Sequence, residues 1–217
     1  MIVKPDQFIF LYGRDLCYSI TTDCNVYQNI DIQFKNGDWV IVSGSNGVGK
    51  STLVKQLAGF PLSQVSGELA LFWNEQRIPN AIHPLLSGLI APYIALPSYI
   101  TYQRYIHLLQ LSRMTHIDLT KQTELLQRFK IQHCTQKRLG VLRPSHQILF
   151  LILIALLFKQ PVLLFDEIET WLDTASLEQV CDYIHHERNN HIIIWATKRP
   201  TEIPSGNRSI HLSGTDS

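Results

Sequence analysis

Short apolar runs rich in β-branched and aromatic residues recur at Phe8 to Tyr12, Val26 to Phe34, Trp39 to Val42, Glu68 to Trp73, Val162 to Phe165 and His191 to Trp195. Each is bounded by Gly, Pro, Asn or charged residues, which is the pattern of strands. Asn36-Gly37-Asp38 separates the second run from the third and predicts a hairpin-like turn. Between Ile100 and Phe158 the apolar residues move to helical spacing, as in Leu125, Leu126, Phe129 and Ile131, and no strand is predicted there. Strand–helix alternation at both ends around a helical block predicts an α/β fold: a mainly parallel sheet covered by helices and carrying a helical subdomain.

The longest apolar run, Ile148 to Phe158, is eleven residues ended by Lys159-Gln160-Pro161. A helix crossing a bilayer needs about 20. The run therefore predicts a buried helix, with the alternative that part of it faces a membrane partner. No repeat or interdomain linker interrupts the pattern, so a single domain over residues 1–217 is expected, with the helical subdomain at about residues 84–159. The tail Ser213 to Ser217 is expected to fray.

Composition narrows the function classes. The chain is 45% hydrophobic and 17% charged, an ordinary globular balance. Its 19 basic and 18 acidic residues leave a formal charge of +1, with no field to draw it onto nucleic acid or anionic lipid, so no nucleic-acid partner is expected. Met1 to Asp6 does not read as a secretory signal, and a cytoplasmic protein is expected. Cys17, Cys24, Cys134 and Cys181 lack C-x-x-C spacing and read as reduced, mostly buried thiols. Cys181 and His185 stand one helical turn apart, but two such residues on an amphipathic helix read as a packed thiol and a solvated imidazole.

The strongest motif is Gly44-Ser45-Asn46-Gly47-Val48-Gly49-Lys50-Ser51-Thr52, which fits G-x-x-x-x-G-K-[ST] directly after a predicted strand. A triphosphate is held best by backbone N–H groups converging on its oxygens, and the glycines permit that backbone. Lys50 is expected to reach the β- and γ-phosphates and the Ser51 hydroxyl to sit on Mg²⁺. A loop that bound nothing would leave Lys50 buried at a helix start without a counter-charge. Downstream, Val162-Leu163-Leu164-Phe165-Asp166-Glu167 is an apolar strand ending in two carboxylates, delivered to the sheet edge where ligands bind. Asp166 is expected to orient Mg²⁺ through water and Glu167 to polarise the attacking water.

With Leu57-Ala58-Gly59, Gly67-Glu68 and the stretch Asp166 to Asp173, the chain resembles the ATP-binding cassette family over nearly its whole length. The resemblance implies a P-loop NTPase of ABC type, with an antiparallel β subdomain beside the parallel sheet and the helical insertion. It also implies ATP and Mg²⁺ as ligands and Asp173 as the aspartate that follows the acidic pair. In that family two cassettes, identical or different, sandwich two ATP molecules. Hydrolysis drives integral membrane subunits, which would place the protein peripherally on the inner face of the cell membrane.

Three positions depart from the family pattern. Ala91-Pro92-Tyr93 stands where the family has a Gln that contacts Mg²⁺, and neither Pro92 nor Tyr93 copies an amide. Leu142-Arg143-Pro144-Ser145-His146 replaces Leu-Ser-Gly-Gly-Gln, with a proline where a backbone donor to the γ-phosphate is expected. Ala196-Thr197-Lys198 replaces Thr-His, so Lys198 supplies charge to a phosphate without an imidazole's relay. These changes predict a cassette that keeps ATP binding and has a weakened face toward its partner's nucleotide. Tyr18 is the nearest candidate for stacking on adenine, close to the position expected near Ile20.

The ending Thr197 to Arg208, with a final strand after it, and Gly67-Glu68-Leu69 leading into Phe72-Trp73-Asn74 are similar to the haem-exporter cassette of bacterial cytochrome c biogenesis. A soluble ABC-type ATP switch in translation or DNA repair is the alternative. Such proteins usually carry fused cassettes, coiled-coil insertions or basic surfaces. A small-molecule kinase would predict Arg-rich lids and leaves Leu172-Asp173 unexplained.

Overall fold

The computed structural model describes residues 8–21, 24–204 and 206–213. Its strands sort into two sheets. β1 (Ile9–Thr21), β2 (Cys24–Lys35), β4 (Val65–Trp73) and the short β5 (Gln76–Arg77) form an antiparallel sheet in the order β2-β1-β4-β5. β3 (Trp39–Gly44), β6 (Ser87–Ile90), β7 (Val162–Asp166), β8 (Ile192–Thr197) and β9 (Arg208–Leu212) form a parallel sheet in the order β6-β7-β8-β3-β9.

Every residue of β7 and β8 is buried, as near-continuous apolar runs require when a parallel strand is covered on both faces. Successive side chains go to opposite faces. Ile41, Leu163, Phe165, Ile193 and Trp195 enter a core shared with α3 (Tyr102–Arg113), α4 (Leu119–Arg128), α5 (Pro144–Leu157) and α6 (Thr174–Glu187). Val40, Val42, Leu164, Ile194 and Ala196 enter a second core with α1 (Lys50–Leu57) and the antiparallel sheet. A one-turn α2 (His83–Leu86) precedes β6.

α3, α4 and α6 begin where short polar side chains satisfy their free N–H groups. The Thr101 hydroxyl accepts from the Arg104 N–H, Asp118 from Thr120 and Lys121, and Asp173 from Ser176. Tyr102 of α3 stacks on Phe150 of α5 at 4.5 Å between centroids and accepts a hydrogen bond from Gln122 of α4 at 3.0 Å, which joins the three inserted helices.

Several expectations need correction. Asn36 and Gly37 do form a turn, but no hairpin: β2 and β3 belong to different sheets and do not pair. The turn carries the chain between layers, with the Gly37 N–H donating to His191 O at 2.9 Å. Residues 84–159 also contain a strand that the pattern did not reveal. β6, Ser87-Gly88-Leu89-Ile90, is short and pairs with β7 at the sheet edge, so the inserted helices begin at Tyr102. The apolar run at Ile148 to Phe158 is the body of α5, buried at most positions, and no helix among the described residues is long and apolar enough to cross a membrane. Met1 to Asp6 and the tail beyond Ser213 lie outside the described residues.

Candidate functional site

The strand order puts the C-terminal ends of β7, β8 and β3 side by side, with Asp166 level with Ala196 and Thr197 level with Ser43. All three connections that leave this edge carry polar groups. From β3 the chain enters Ser45, Asn46 and Gly47, which are exposed, then Val48, which plugs into the core at 6% exposure, then Gly49 as the residue before α1. Gly47 has φ +81° and Gly49 φ +86°, left-handed values that favour glycine. A Cβ on Gly49 would lie 2.9 Å from a ring carbon of Tyr27, whereas one on Gly47 would meet nothing within 4 Å. Gly47 is therefore required by the turn alone, and the space beside it stays open.

Lys50 opens α1 and is 4% exposed. Its Nζ donates to Gly44 O at 3.0 Å and Ser45 O at 2.8 Å and lies 3.3 Å from Glu167 Oε1. The expectation that an empty loop leaves this ammonium without a counter-charge is therefore wrong: Glu167 supplies one. Ser51 and Thr52 follow on the first turn of α1, both half-buried.

Asp166 ends β7 at 2% exposure. Its Oδ2 accepts from the Tyr93 hydroxyl at 2.9 Å, while Oδ1 has no hydrogen-bond partner. Burial pushes its pKa above the usual carboxylate value, and the nearby hydroxyls of Ser51 and Tyr93 pull the other way. A buried carboxylate oxygen without a partner, beside a serine hydroxyl, is the oxygen donor set that suits Mg²⁺, so these residues fit the cation. Tyr93 is no amide, as expected, yet its hydroxyl reaches Asp166. Lys55 Nζ sits over the face of the Tyr93 ring, 4.2 Å from its centroid, a cation–π contact that helps hold the phenol.

Glu167 follows in a left-handed conformation, φ +51°, uncommon for a residue with a Cβ. Its N–H donates to Ala196 O at 2.9 Å, extending the β7–β8 ladder, and the twist returns its carboxylate toward the loop. There it bridges Lys50 and Lys198, whose Nζ is 2.8 Å from Oε2. Lys198 is thus placed beside Glu167.

One buried network was missed by sequence reasoning. Glu169, 6% exposed, accepts from Trp195 Nε1 at 3.1 Å and from the Thr197 hydroxyl at 2.5 Å, and Thr197 Oγ1 accepts from the Arg199 N–H at 2.9 Å. It ties the turn after Glu167 to the end of β8 and so sets where Lys198 stands. The available signal was an acid two residues after the Asp-Glu pair, opposite a Trp and a Thr two apart on a strand.

The segment Leu142 to His146 lies elsewhere. Pro144 is the first residue of α5, where its missing N–H costs the helix nothing, and the N–H groups of Ser145 and His146 remain without helical partners. Ser145 and His146 line a cleft with Lys130 and Asp173, and no phosphate-loop residue lines it. Tyr18 is half-buried with its ring 5.9 Å from that of Tyr27, beside Gly49, whereas the Ile20 side chain lies outside the described residues. Cys17, Cys134 and Cys181 are free thiols, and the Cys24 side chain is also outside the described set. Cys181 is buried and His185 exposed, so that pair converges on nothing.

The family model described as ABC transporter matches residues 27–170. The arginine transport ATP-binding protein ArtP of Haemophilus influenzae is 28% identical over 196 residues, covering 85% of this chain and 76% of the relative. The cytochrome c biogenesis ATP-binding export protein CcmA of Hahella chejuensis is 41% identical, but over 66 residues, 30% of this chain and 29% of the relative. Among solved structures, a dimeric bacterial ABC transporter cassette superposes with a TM-score of 0.76 at 15% identity, covering 93% of this chain and 94% of that one.

Proposed function

The chain belongs to the ABC transporter family of ATP-binding proteins, and on that premise we propose that it binds ATP with Mg²⁺ at Gly44–Thr52 and hydrolyses it to energise integral membrane subunits. The observation that carries the reading is the meeting of Lys50, Asp166, Glu167 and Lys198 at one edge of three adjacent parallel strands.

In this reading the loop amides hold phosphate oxygens, and Lys50 turns from the Gly44 and Ser45 carbonyls and Glu167 toward the β- and γ-phosphates. Ser51 and Asp166 hold the cation, Tyr93 keeping the Asp166 carboxylate oriented. When bound, Mg²⁺ supplies neutralisation of the phosphate charge. Glu167, released by Lys50, accepts the proton of the attacking water, and Lys198 adds positive charge beside it.

Two cassettes pairing face to face would offer the free N–H groups at the start of α5, with Asp173, to each other's nucleotide. The exposed apolar residues Leu108, Leu111, Met114 and Leu119, on and between α3 and α4, support a surface for the membrane subunits, and a protein docked there would lie on the inner face of the membrane. The short 41% match favours haem export in cytochrome c biogenesis as the cargo reading. Neighbouring reading frames decide that finer point: a different membrane partner there overturns it. Titration with a fluorescent ATP analogue, with and without Mg²⁺, followed by phosphate release, tests the reading as a whole. A folded chain with no saturable binding refutes it.

A further inference from the structure

Among the described residues, one group of three side chains has metal-ligand character: His133, Cys134 and His146, whose donor atoms lie within 4.8 Å of one another. His133 and Cys134 stand on a short 3-10 turn, Gln132–Cys134, and His146 on the first turn of α5. We propose that these three residues form a site for a borderline-soft divalent transition cation of the zinc class, tying the turn to the start of α5.

The geometry carries this. Cys134 Sγ lies 3.4 Å from His146 Nδ1. Ligands at about 2.3 Å for sulfur and about 2.0 Å for nitrogen around a tetrahedral zinc stand about 3.5 Å apart, so this pair already has the spacing of two ligands on one cation. An S–H···N hydrogen bond accounts for that pair but not for the third donor. The His133 ring meets the His146 ring edge-on at 5.6 Å between centroids, and, being exposed, it turns without disturbing the core. Cys134 is 1% exposed, and its N–H donates to Ile131 O at 3.0 Å, which holds its backbone in the turn.

Ligand type selects the ion. One thiolate and two imidazoles suit zinc and cobalt and exclude Mg²⁺ and Ca²⁺, which take oxygen ligands. His146 also lines the cleft with Ser145 and Asp173, and a tetrahedral ion held by three side chains takes water as its fourth ligand. Burial disfavours the charged forms of Cys134 and His146, with Lys137 and Arg143 as cationic neighbours and Asp173 as an anionic one. A cysteine binds such an ion as its thiolate. The S–H bond is replaced by a sulfur–metal bond and the proton passes to solvent.

The test titrates the full chain with Co²⁺ and reads the thiolate-to-cobalt charge-transfer absorption, then displaces it with Zn²⁺. A stoichiometric band is expected, kept in Cys17→Ser and lost in Cys134→Ser. Because Cys134 is buried and its variant could fail to fold, His133→Ala gives a second reading at an exposed position. It should bind cobalt at least about tenfold more weakly, the lower end of what losing a partner that merely orients a ligand costs. No band in the natural chain, a band that survives Cys134→Ser, or equal affinity in His133→Ala overturns the site. None of these outcomes bears on ATP binding, so this inference and the proposed function fail separately.

Discussion

Glu167→Gln should raise ATP affinity while it slows hydrolysis. Glu167 pairs with Lys50, with Nζ 3.3 Å from Oε1, and Lys50 is 4% exposed against 23% for Glu167. ATP must take Lys50 from that carboxylate. Hydrogen bonds to charged groups contribute about 1.5–3 kcal/mol when well shielded. Glu167 is partly solvated, and Lys50 keeps the Gly44 and Ser45 carbonyls in the variant, so about 1 kcal/mol is a reasonable share. That destabilises the nucleotide-free state only, which corresponds to about fivefold tighter binding. The amide keeps the shape of the carboxylate but accepts no proton from water, so hydrolysis should fall by about 10²–10⁴. A fluorescent-nucleotide titration and a phosphate-release assay on the same preparation measure both effects. A thermal melt adds a check: the variant should melt lower without nucleotide and gain more from ATP. Unchanged or weaker affinity would show that the Lys50–Glu167 pair does not compete with nucleotide. Hydrolysis at the natural rate would place the base elsewhere.

Three further outcomes follow from the same edge of the sheet. Lys50→Ala should weaken ATP binding by more than about 100-fold, about 3 kcal/mol, and undiminished affinity in a folded variant would remove the loop from the mechanism. Asp166 has a folded-state pKa raised above the ordinary 3.8 by burial, so its contribution to stability is full below the ordinary value and is lost as pH rises through the raised one. Asp166→Asn should therefore stabilise the nucleotide-free chain at neutral pH, by about 2–4 °C if about 1 kcal/mol is recovered, and abolish the Mg²⁺-dependent gain in ATP affinity; a lower melting point at neutral pH contradicts the burial argument. Glu169→Ala leaves Trp195 Nε1 without its acceptor and the Thr197 hydroxyl without the oxygen it donates to. Denaturant unfolding should show a loss of about 3 kcal/mol, and a loss under about 0.5 kcal/mol would mean the network carries no stability.

The sequence alone determined the local pieces. Gly44 to Thr52 specifies strand, turn and helix within a few residues, because its glycines, its lysine and the apolar run before it act on their own neighbours. The run ending at Asp166-Glu167 shows a buried strand with acids at its tip for the same reason, and the apolar stretch at Ile148 to Phe158 shows a buried helix. What required the tertiary structure is every contact between pieces. β6 carries too few residues to announce itself and becomes a strand because β7 offers it a ladder. Asn36-Gly37 reads as a hairpin by turn chemistry, yet its two strands have stronger partners in separate sheets. Tyr93 finds Asp166, Lys198 finds Glu167, and Glu169 finds Trp195 and Thr197 only once β6, β7 and β8 lie in order. A sequence pattern records how a residue treats its near neighbours. Pairing across the chain depends on which strand lies beside which, and burial of apolar faces decides that order for the molecule as a whole.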